Sequence, residues 1–397
     1  MTRKGFVLLF MLAFSLAQAK QPRQGRWTGW FFLNDTTRMP FRFEAGPDSV
    51  VFINAGERIK TQAISKEDSL IIPMPVFDAD FRMKVRGDTM TGVFTNRMRV
   101  SNKEIRCQAI YGTVKYPAND FELKDFTGRW KAVFEGDDPP LNIAIAEFRQ
   151  NATDLTGTFL TPTGDYRFLD GNLTGGKSFE LSAFDGSHVF YFTGRQEGDT
   201  LYGHYYSGTH WHDTWIAWRD EQAALPDADS LAFMKEGFSR LDFRFPDADS
   251  NLVSIHDAKY KNKVVLVQIM GSWCPNCMDE AIALRSTYSR YHERGLEIIG
   301  LDFERINSFH EASGFIKKFS SHLGLQYPIL FAGSSDKKMR VQALPQLRDI
   351  VAFPTLIIIN RQGYVVRIHT GFSGPATGAH YDKWKEEFTR DIEKLLN

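Results

Sequence analysis

The sequence predicts a multidomain chain: an N-terminal all-β barrel or sandwich built from two repeats, followed by a C-terminal α/β domain. Three observations carry this. Gly25-Arg26-Trp27 recurs as Gly128-Arg129-Trp130, and Gly87-Asp88-Thr89-Met90-Thr91-Gly92-Val93-Phe94 recurs as Gly198-Asp199-Thr200-Leu201-Tyr202-Gly203-His204-Tyr205, so one strand opening and one Asp-Thr hairpin turn each occur twice. The alternating pattern then stops at Gln222-Ala223-Ala224-Leu225-Pro226-Asp227. Beyond it, an apolar β-branched run leads into Trp273-Cys274-Pro275-Asn276-Cys277 and a stretch of helix formers, the order strand, turn, helix. These divide the chain into a leader (1–19), two β-rich repeats (20–122 and 123–220), a linker (221–237) and the α/β domain (238–397).

The leader is expected from a basic start, Thr2-Arg3-Lys4, an apolar core from Phe6 to Leu16 too short to cross a bilayer, and the small-x-small site Ala17-Gln18-Ala19. With no cysteine at that junction a lipid anchor is not indicated. The product after leader removal is expected to be soluble and exported, in a bacterial periplasm. Three cysteines in 397 residues cannot staple such a chain, which must rely on its cores. Lys and Arg total 48 against 48 Asp and Glu, so charge gives no argument for nucleic acid or an anionic membrane as partner.

In the β-rich region, strands are expected from Ser49 to Ile53, Ser69 to Ile72, Asp80 to Val85, Leu141 to Phe148, Leu155 to Leu160, Phe179 to Phe184 and His188 to Phe192. Many short strands at regular spacing read as an antiparallel barrel or sandwich. Whether the copies close one barrel or form two small sheets stays open. The Gly-x-Trp openings resemble those of lipocalin-like barrels, but no lipid is inferred and the region's ligand is unknown. Cys107 alternates with Ile105 and Ala109 and is read as a buried structural thiol. His210 and His212 share a strand face beside Asp213 and near His204, a candidate metal set lacking a fixed fourth ligand. Trp211, Trp215 and Trp218, with Tyr202, Tyr205 and Tyr206, are expected to fill a core or barrel end.

In the α/β domain, Lys263 to Met270 reads as a buried central strand and Gly271-Ser272 as a turn. Helix formers from Met278 run to a stop at Gly295, which places Cys274 at the first turn and Pro275 at a first helical position, where a missing N–H costs nothing. Unpaired N–H groups and the macrodipole there favour an anion, and thiols so placed have pKa values lowered from ~8.5 to roughly 3.5–7.5. Cys274 is therefore the expected nucleophile and Cys277, one turn deeper, the resolving thiol of a redox pair. Zinc would need four ligands, and the third cysteine, Cys107, lies in another composition zone with no second ligand pair. The expected site has no metal and no cofactor.

Downstream, Ala352-Phe353-Pro354-Thr355 leads into Leu356 to Ile359, a turn at Asn360-Arg361-Gln362-Gly363, and Tyr364 to Ile368. With a strand from Leu296 to Asp302, helices from Ser308 to Leu323 and Tyr381 to Leu396, and an opening hairpin at Asp242 to Asp247 and Leu252 to Ile255, the order resembles the thioredoxin fold. More narrowly it is similar to the TlpA/ResA-like thiol-disulfide oxidoreductases over about residues 240–397. By that resemblance Pro354 is cis and faces the dithiol, freeing the preceding backbone to pair with a bound peptide, with an ordinary trans proline at a strand start as the alternative. Trp273, Pro275, Phe353, Pro354 and Thr355 are then the substrate-binding set.

Two departures matter. Thioredoxin has a buried Asp six residues before its first Cys, where this chain has Gln268, which cannot act as a base. ResA-like proteins carry an acidic residue at the position of Glu280, three residues after Cys277; it is read either as a proton shuttle or as a solvated helix residue. Asp302 and Glu304 read as a polar strand end. The resemblance implies an exported reductase of protein disulfides, re-reduced by a membrane thiol transporter of the DsbD or CcdA type. A thiol peroxidase is the enzymatic rival, though Met270-Gly271-Ser272-Trp273 lacks the Thr that peroxiredoxins place before the thiol. The rival of another class is an envelope β-protein that binds a ligand and uses the redox domain as a sensor. Few contacts are expected to cross the linker.

Overall fold

The computed structural model describes residues 21–66, 68–114, 123–136 and 138–397; the leader and the boundary at 122/123 lie outside them. Two separate nine-stranded antiparallel sheets precede the α/β domain, so the β-rich region does not close a single barrel. In the first, strands follow one another as hairpins from Gly25–Phe32 to Glu104–Tyr111, and the first strand pairs with the last. Its two edges, Glu57–Gln62 and Ile64–Lys66, are separated only by Ala63, so one run of chain brings the ends of the sheet together. The second sheet runs from Gly128–Phe134 to Trp211–Arg219, and pairing of Ile143–Asn151 with Asp154–Thr161 closes it.

The two sheets share local devices. Trp27 and Trp130 each donate from the indole N–H to the carbonyl four residues back, Arg23 at 2.8 Å and Phe126 at 3.0 Å. Gly87 and Gly198 both sit at φ +60° in the Asp-Thr turns, a region glycine enters without a Cβ penalty. The sheets are not independent bodies. Phe184, at the end of a second-sheet strand, packs among Phe31, Phe41, Phe52, Phe81 and Phe94 of the first, with centroid separations of 5.0–6.2 Å. Aromatic pairs at such distances add about 0.5–1.5 kcal/mol each beyond burial, so the two sheets stabilise one another.

Several expectations change here. The strands Arg38–Ala45, Glu57–Gln62 and Leu169–Gly175 were not foreseen. Trp215 and Tyr205 are buried as expected, but Trp211, Trp218 and Tyr202 are exposed. Along Trp211–Arg219 the inward residues are Asp213, Trp215 and Ala217, so parity puts Ile216 and Trp218 outside. His210 lies before that strand and contacts Arg99 at 3.1 Å, whereas His204 and His212 face each other at 3.1 Å, so the structure does not assemble the histidine set. Cys107 is buried against Met83, and burial pushes its thiol up to about 12.

The C-terminal sheet has five strands in the order Ile329–Ser334, Leu296–Glu304, Val264–Met270, Thr355–Ile359, Val365–Thr370. The first three are parallel and the last two antiparallel. Every residue of the central Val264–Met270 strand is buried, as a sheet covered on both faces requires. The helices are α1 (Pro275–Tyr291), α2 (Phe309–Leu323), α3 (Lys337–Ala343) and α4 (Ala379–Leu396). The edge strand Ile329–Ser334 and the short α3 were absent from the sequence reading. Among the described residues no helix is long and apolar enough to cross a membrane.

Candidate active site

Cys274 is the N-cap of α1 and Pro275 its first residue, so the turn after Met270 delivers the thiol to the helix's unpaired N–H groups. Its Sγ accepts the Cys277 N–H at 3.3 Å and lies 3.6 Å from the Phe353 carbonyl, to which the thiol donates. The Phe353–Pro354 peptide is cis. Cys274 is 5% exposed and Cys277 0%, and both thiols are free. Burial, reinforced by the neighbouring Cys274, pushes the Cys277 thiol well up. The pair is thus asymmetric: one nearly buried sulfur at the cleft wall, one sealed completely beneath it.

Aromatic side chains wall the nucleophile. Trp273 donates to the Phe303 carbonyl at 3.0 Å, packs edge-on to Phe353 at 5.6 Å, and carries the Arg305 guanidinium 3.9 Å above its ring. Arg305 is itself held near Cys274, whose charge would attract it. Thr355 turns inward to the Ala352 carbonyl at 2.8 Å and fixes the loop rather than facing a ligand.

Glu280 is fully buried, which removes the solvated reading. Gln268, on the central strand, donates to both the Cys277 carbonyl at 3.1 Å and Glu280 Oε2 at 2.8 Å, so the amide bridges the thiol's turn to the carboxyl. Burial pushes Glu280 up to about 8, with the Gln268 hydrogen bond opposing. A neutral carboxyl is the form favoured below that pH, one suited to exchanging a proton near Cys277. Because the folded value lies above the ordinary 4.5, the favourable contribution to stability is complete below pH 4.5 and is lost as pH rises toward 8. Glu280→Gln is therefore expected to match wild type at pH 4 and to exceed it by about 3 kcal/mol at pH 7, at roughly 1.4 kcal/mol per unit. Urea unfolding of the reduced protein at both values checks this, and equal differences at both would refute it.

The sequence reading of Asp302 and Glu304 is also corrected. Both are buried behind the turn, where Ser272 donates its N–H to Asp302 at 2.8 Å and its hydroxyl to Glu304. Burial raises both carboxyls, Asp302 the further because Glu304 adjoins it.

The largest correction concerns the linker: the β-rich region packs directly on the dithiol. Buried Arg167 binds Asp279 of α1, Glu57 of the first sheet and, at 3.3 Å, the Pro275 carbonyl. Asp165 accepts the Gly374 N–H at 2.7 Å, and its carbonyl accepts Asn276 Nδ2 at 3.1 Å. Lys318 of α2 donates to the Phe77 carbonyl. Between the bodies lies a cleft of about 350 Å³, walled by Tyr166, His188 and Phe190 on one side and Trp273, Cys274 and Phe353 on the other. No sequence signal links residues so far apart. Among the described residues no group of three His, Cys, Asp or Glu is arranged for a metal.

Residues 235–383 match the Redoxin family. The thiol-disulfide oxidoreductase ResA of Halalkalibacterium halodurans is 27% identical over 137 residues, which are 34% of this chain and 69% of that protein. ResA of Bacillus subtilis is 23% identical over 138 residues, 35% of this chain and 69% of its own. Among solved structures, a thioredoxin-family thiol:disulfide interchange protein from Chlorobium tepidum TLS covers 40% of this chain and 96% of its own at 19% identity and TM-score 0.31. A DsbF homologue from Corynebacterium diphtheriae covers 44% and 98% at 18% identity and TM-score 0.32. With its five-stranded sheet and its Cys-x-x-Cys helix start, the C-terminal part of the chain is a Redoxin domain of thioredoxin fold, of the thiol-disulfide oxidoreductase type represented by ResA.

Proposed function

We propose that this chain is an exported protein-disulfide oxidoreductase working in the reducing direction through Cys274 and Cys277. The observation that carries it is the asymmetric pair at the start of α1, an N-cap thiol receiving the Cys277 N–H and a sealed partner one turn on. Cys274 attacks a substrate disulfide; Cys277 then displaces the mixed disulfide, its proton passing to Glu280 in its ionised form. The backbone at Phe353 and Pro354, with Trp273 and Pro275, receives the substrate chain. Substrates are disulfide-bearing proteins, and the oxidised pair is re-reduced by a membrane thiol donor of the DsbD or CcdA type. We read the two sheets as two copies of one unit. The shared cleft favours a β-rich region that takes part in substrate access over one that works as a separate ligand sensor.

The test is the equilibrium potential of the full chain, read from Trp273 fluorescence in defined thiol buffers, together with insulin reduction. A value near thioredoxin's ~−270 mV with catalysed insulin reduction is expected. A value near the ~−120 mV of a strong oxidant, or no Cys274–Cys277 disulfide at any poise, would defeat the reading.

A further inference from the structure

Asp185-Gly186-Ser187-His188 joins two strands of the second sheet and rests on the redox motif. The Ser187 hydroxyl donates to the Trp273 carbonyl at 3.3 Å, one residue from the nucleophile. The loop is held from behind by the first sheet, where Asn96 donates to the Ser187 carbonyl at 3.0 Å and Arg99 at 3.4 Å. Within the loop, Asp185 Oδ1 accepts the N–H groups of Ser187 at 2.8 Å and His188 at 2.6 Å. Its other oxygen lies 3.3 Å from His188 Nδ1. His188 stacks on Phe190, with centroids 5.0 Å apart and an interplanar angle of 11°. Neither that oxygen nor Nδ1 makes a hydrogen bond among the described residues, so the ring is held by the adjacent carboxylate charge and by stacking on one face, and it lines the same cleft as Cys274. Among the described residues its second nitrogen, Nε2, makes no hydrogen bond.

We propose that His188, oriented by Asp185, is the proton-transfer residue for Cys274, so that the thiol-exchange site is completed by the β-rich region. The proposal rests on the disulfide-reductase reading above. The arrangement has the logic of a nucleophile served by a base that a carboxylate orients. Groups facing the imidazole come from every neighbouring element: Asp185 in its own loop, Arg99 of the first sheet, Arg305 beside Trp273, and His210. Burial and the two arginines hold the ring toward its neutral form against the pull of Asp185. A neutral ring can accept a proton.

The Cys274 proton moves to Nε2, and the thiolate's electron pair attacks one sulfur of the substrate disulfide. The substrate S–S bond breaks, a Cys274–S bond forms, and the departing thiolate takes the proton back from Nε2 and leaves as a thiol. Cys277 then attacks the Cys274 sulfur, releasing the second substrate thiolate, which is protonated from the Cys277 side. One substrate disulfide becomes two thiols, and the dithiol becomes one disulfide.

The test separates proton delivery from simple loss of shape by varying the leaving group. Single-turnover rates of the reduced full-length protein are measured with bis(2-hydroxyethyl) disulfide, whose alkyl thiolate needs a proton, and with an aromatic nitrobenzoate disulfide, whose thiolate leaves without one. For His188→Gln we expect a loss of at least ~10-fold on the alkyl disulfide at pH 7, clearly larger than on the aromatic one, the size general acid-base catalysis supports. Asp185→Asn should give a smaller loss in the same direction. The pH–rate profile for alkylation of Cys274 should lose in His188→Gln an inflection that wild type shows. Equal losses on both disulfides, or unchanged rates and pH profile, would overturn the proposal. If wild type reduced neither disulfide, the reductase reading itself would fail, a different result from an active wild type matched by His188→Gln.

Discussion

Cys274→Ser is expected to bring disulfide reduction to the uncatalysed background, whereas Cys277→Ser should accumulate mixed disulfides with its substrates. The asymmetry follows from geometry. Cys274 caps α1 at the cleft wall, with Cys277 N–H directed at its sulfur, while Cys277 is closed off and its thiol is pushed up by burial. A serine hydroxyl at 274 cannot form a disulfide, so no other thiol replaces it; Cys107, raised to about 12 inside the first sheet, remains silent. At 277, serine removes only the resolving step, and the first covalent adduct persists. Iodoacetamide mapping of the reduced protein gives an independent reading, with Cys274 labelled first. Faster labelling of Cys277 would reverse the roles.

Arg167→Met is expected to destabilise the protein by roughly 3–5 kcal/mol at pH 8, the cost of stranding buried charge when one partner of a buried pair is removed. The guanidinium is buried among Asp279, Glu57 and Asp165. Asp279 is already pushed up to about 7, chiefly by burial and against the pull of Arg167. In the variant it rises further. Its protonated form then carries the seam at low pH, so the penalty should grow as pH rises above about 7 and level off below it. Calorimetry at pH 5 and pH 8 reads this, and because Arg167 joins α1 to both sheets, a single transition should split into two at the higher pH. Equal melting at both pH values would show that the cluster does not hold the bodies together.

The redox motif was legible because its information is local. A β-branched run, a turn, two cysteines and helix formers are adjacent in sequence, and the structure starts α1 at the proline the pattern indicated. The strand Ile329–Ser334 and α3 escaped because each is short and its apolar residues follow neither period cleanly. Asp302 and Glu304 read as a polar strand end and Glu280 as either a proton shuttle or a solvated helix residue, yet tertiary packing buries all three around the motif. Arg167, Asp185 and His188 gave no signal of any kind, since what joins them to Cys274 is the docking of a separate sheet.

The seam bears on whether this redox domain can be exchanged for another. Gly164 and Gly371 meet across it with φ of +146° and +79°. A methyl group added at Gly164 would come within 2.1 Å of Asn276 Nδ2, and one at Gly371 within 2.7 Å of the Pro162 carbonyl. Real side-chain atoms do not approach so closely, and the second obstacle is rigid main chain. A thioredoxin-fold domain grafted behind this β-rich region would therefore need a glycine at the position of 371, a carboxylate at that of 279 and a small polar residue between its cysteines. Without them it would hang from the linker as a free-standing enzyme. The two halves are matched parts, and a chimera that kept only the Cys-Pro-Asn-Cys motif would inherit the chemistry without the enclosure.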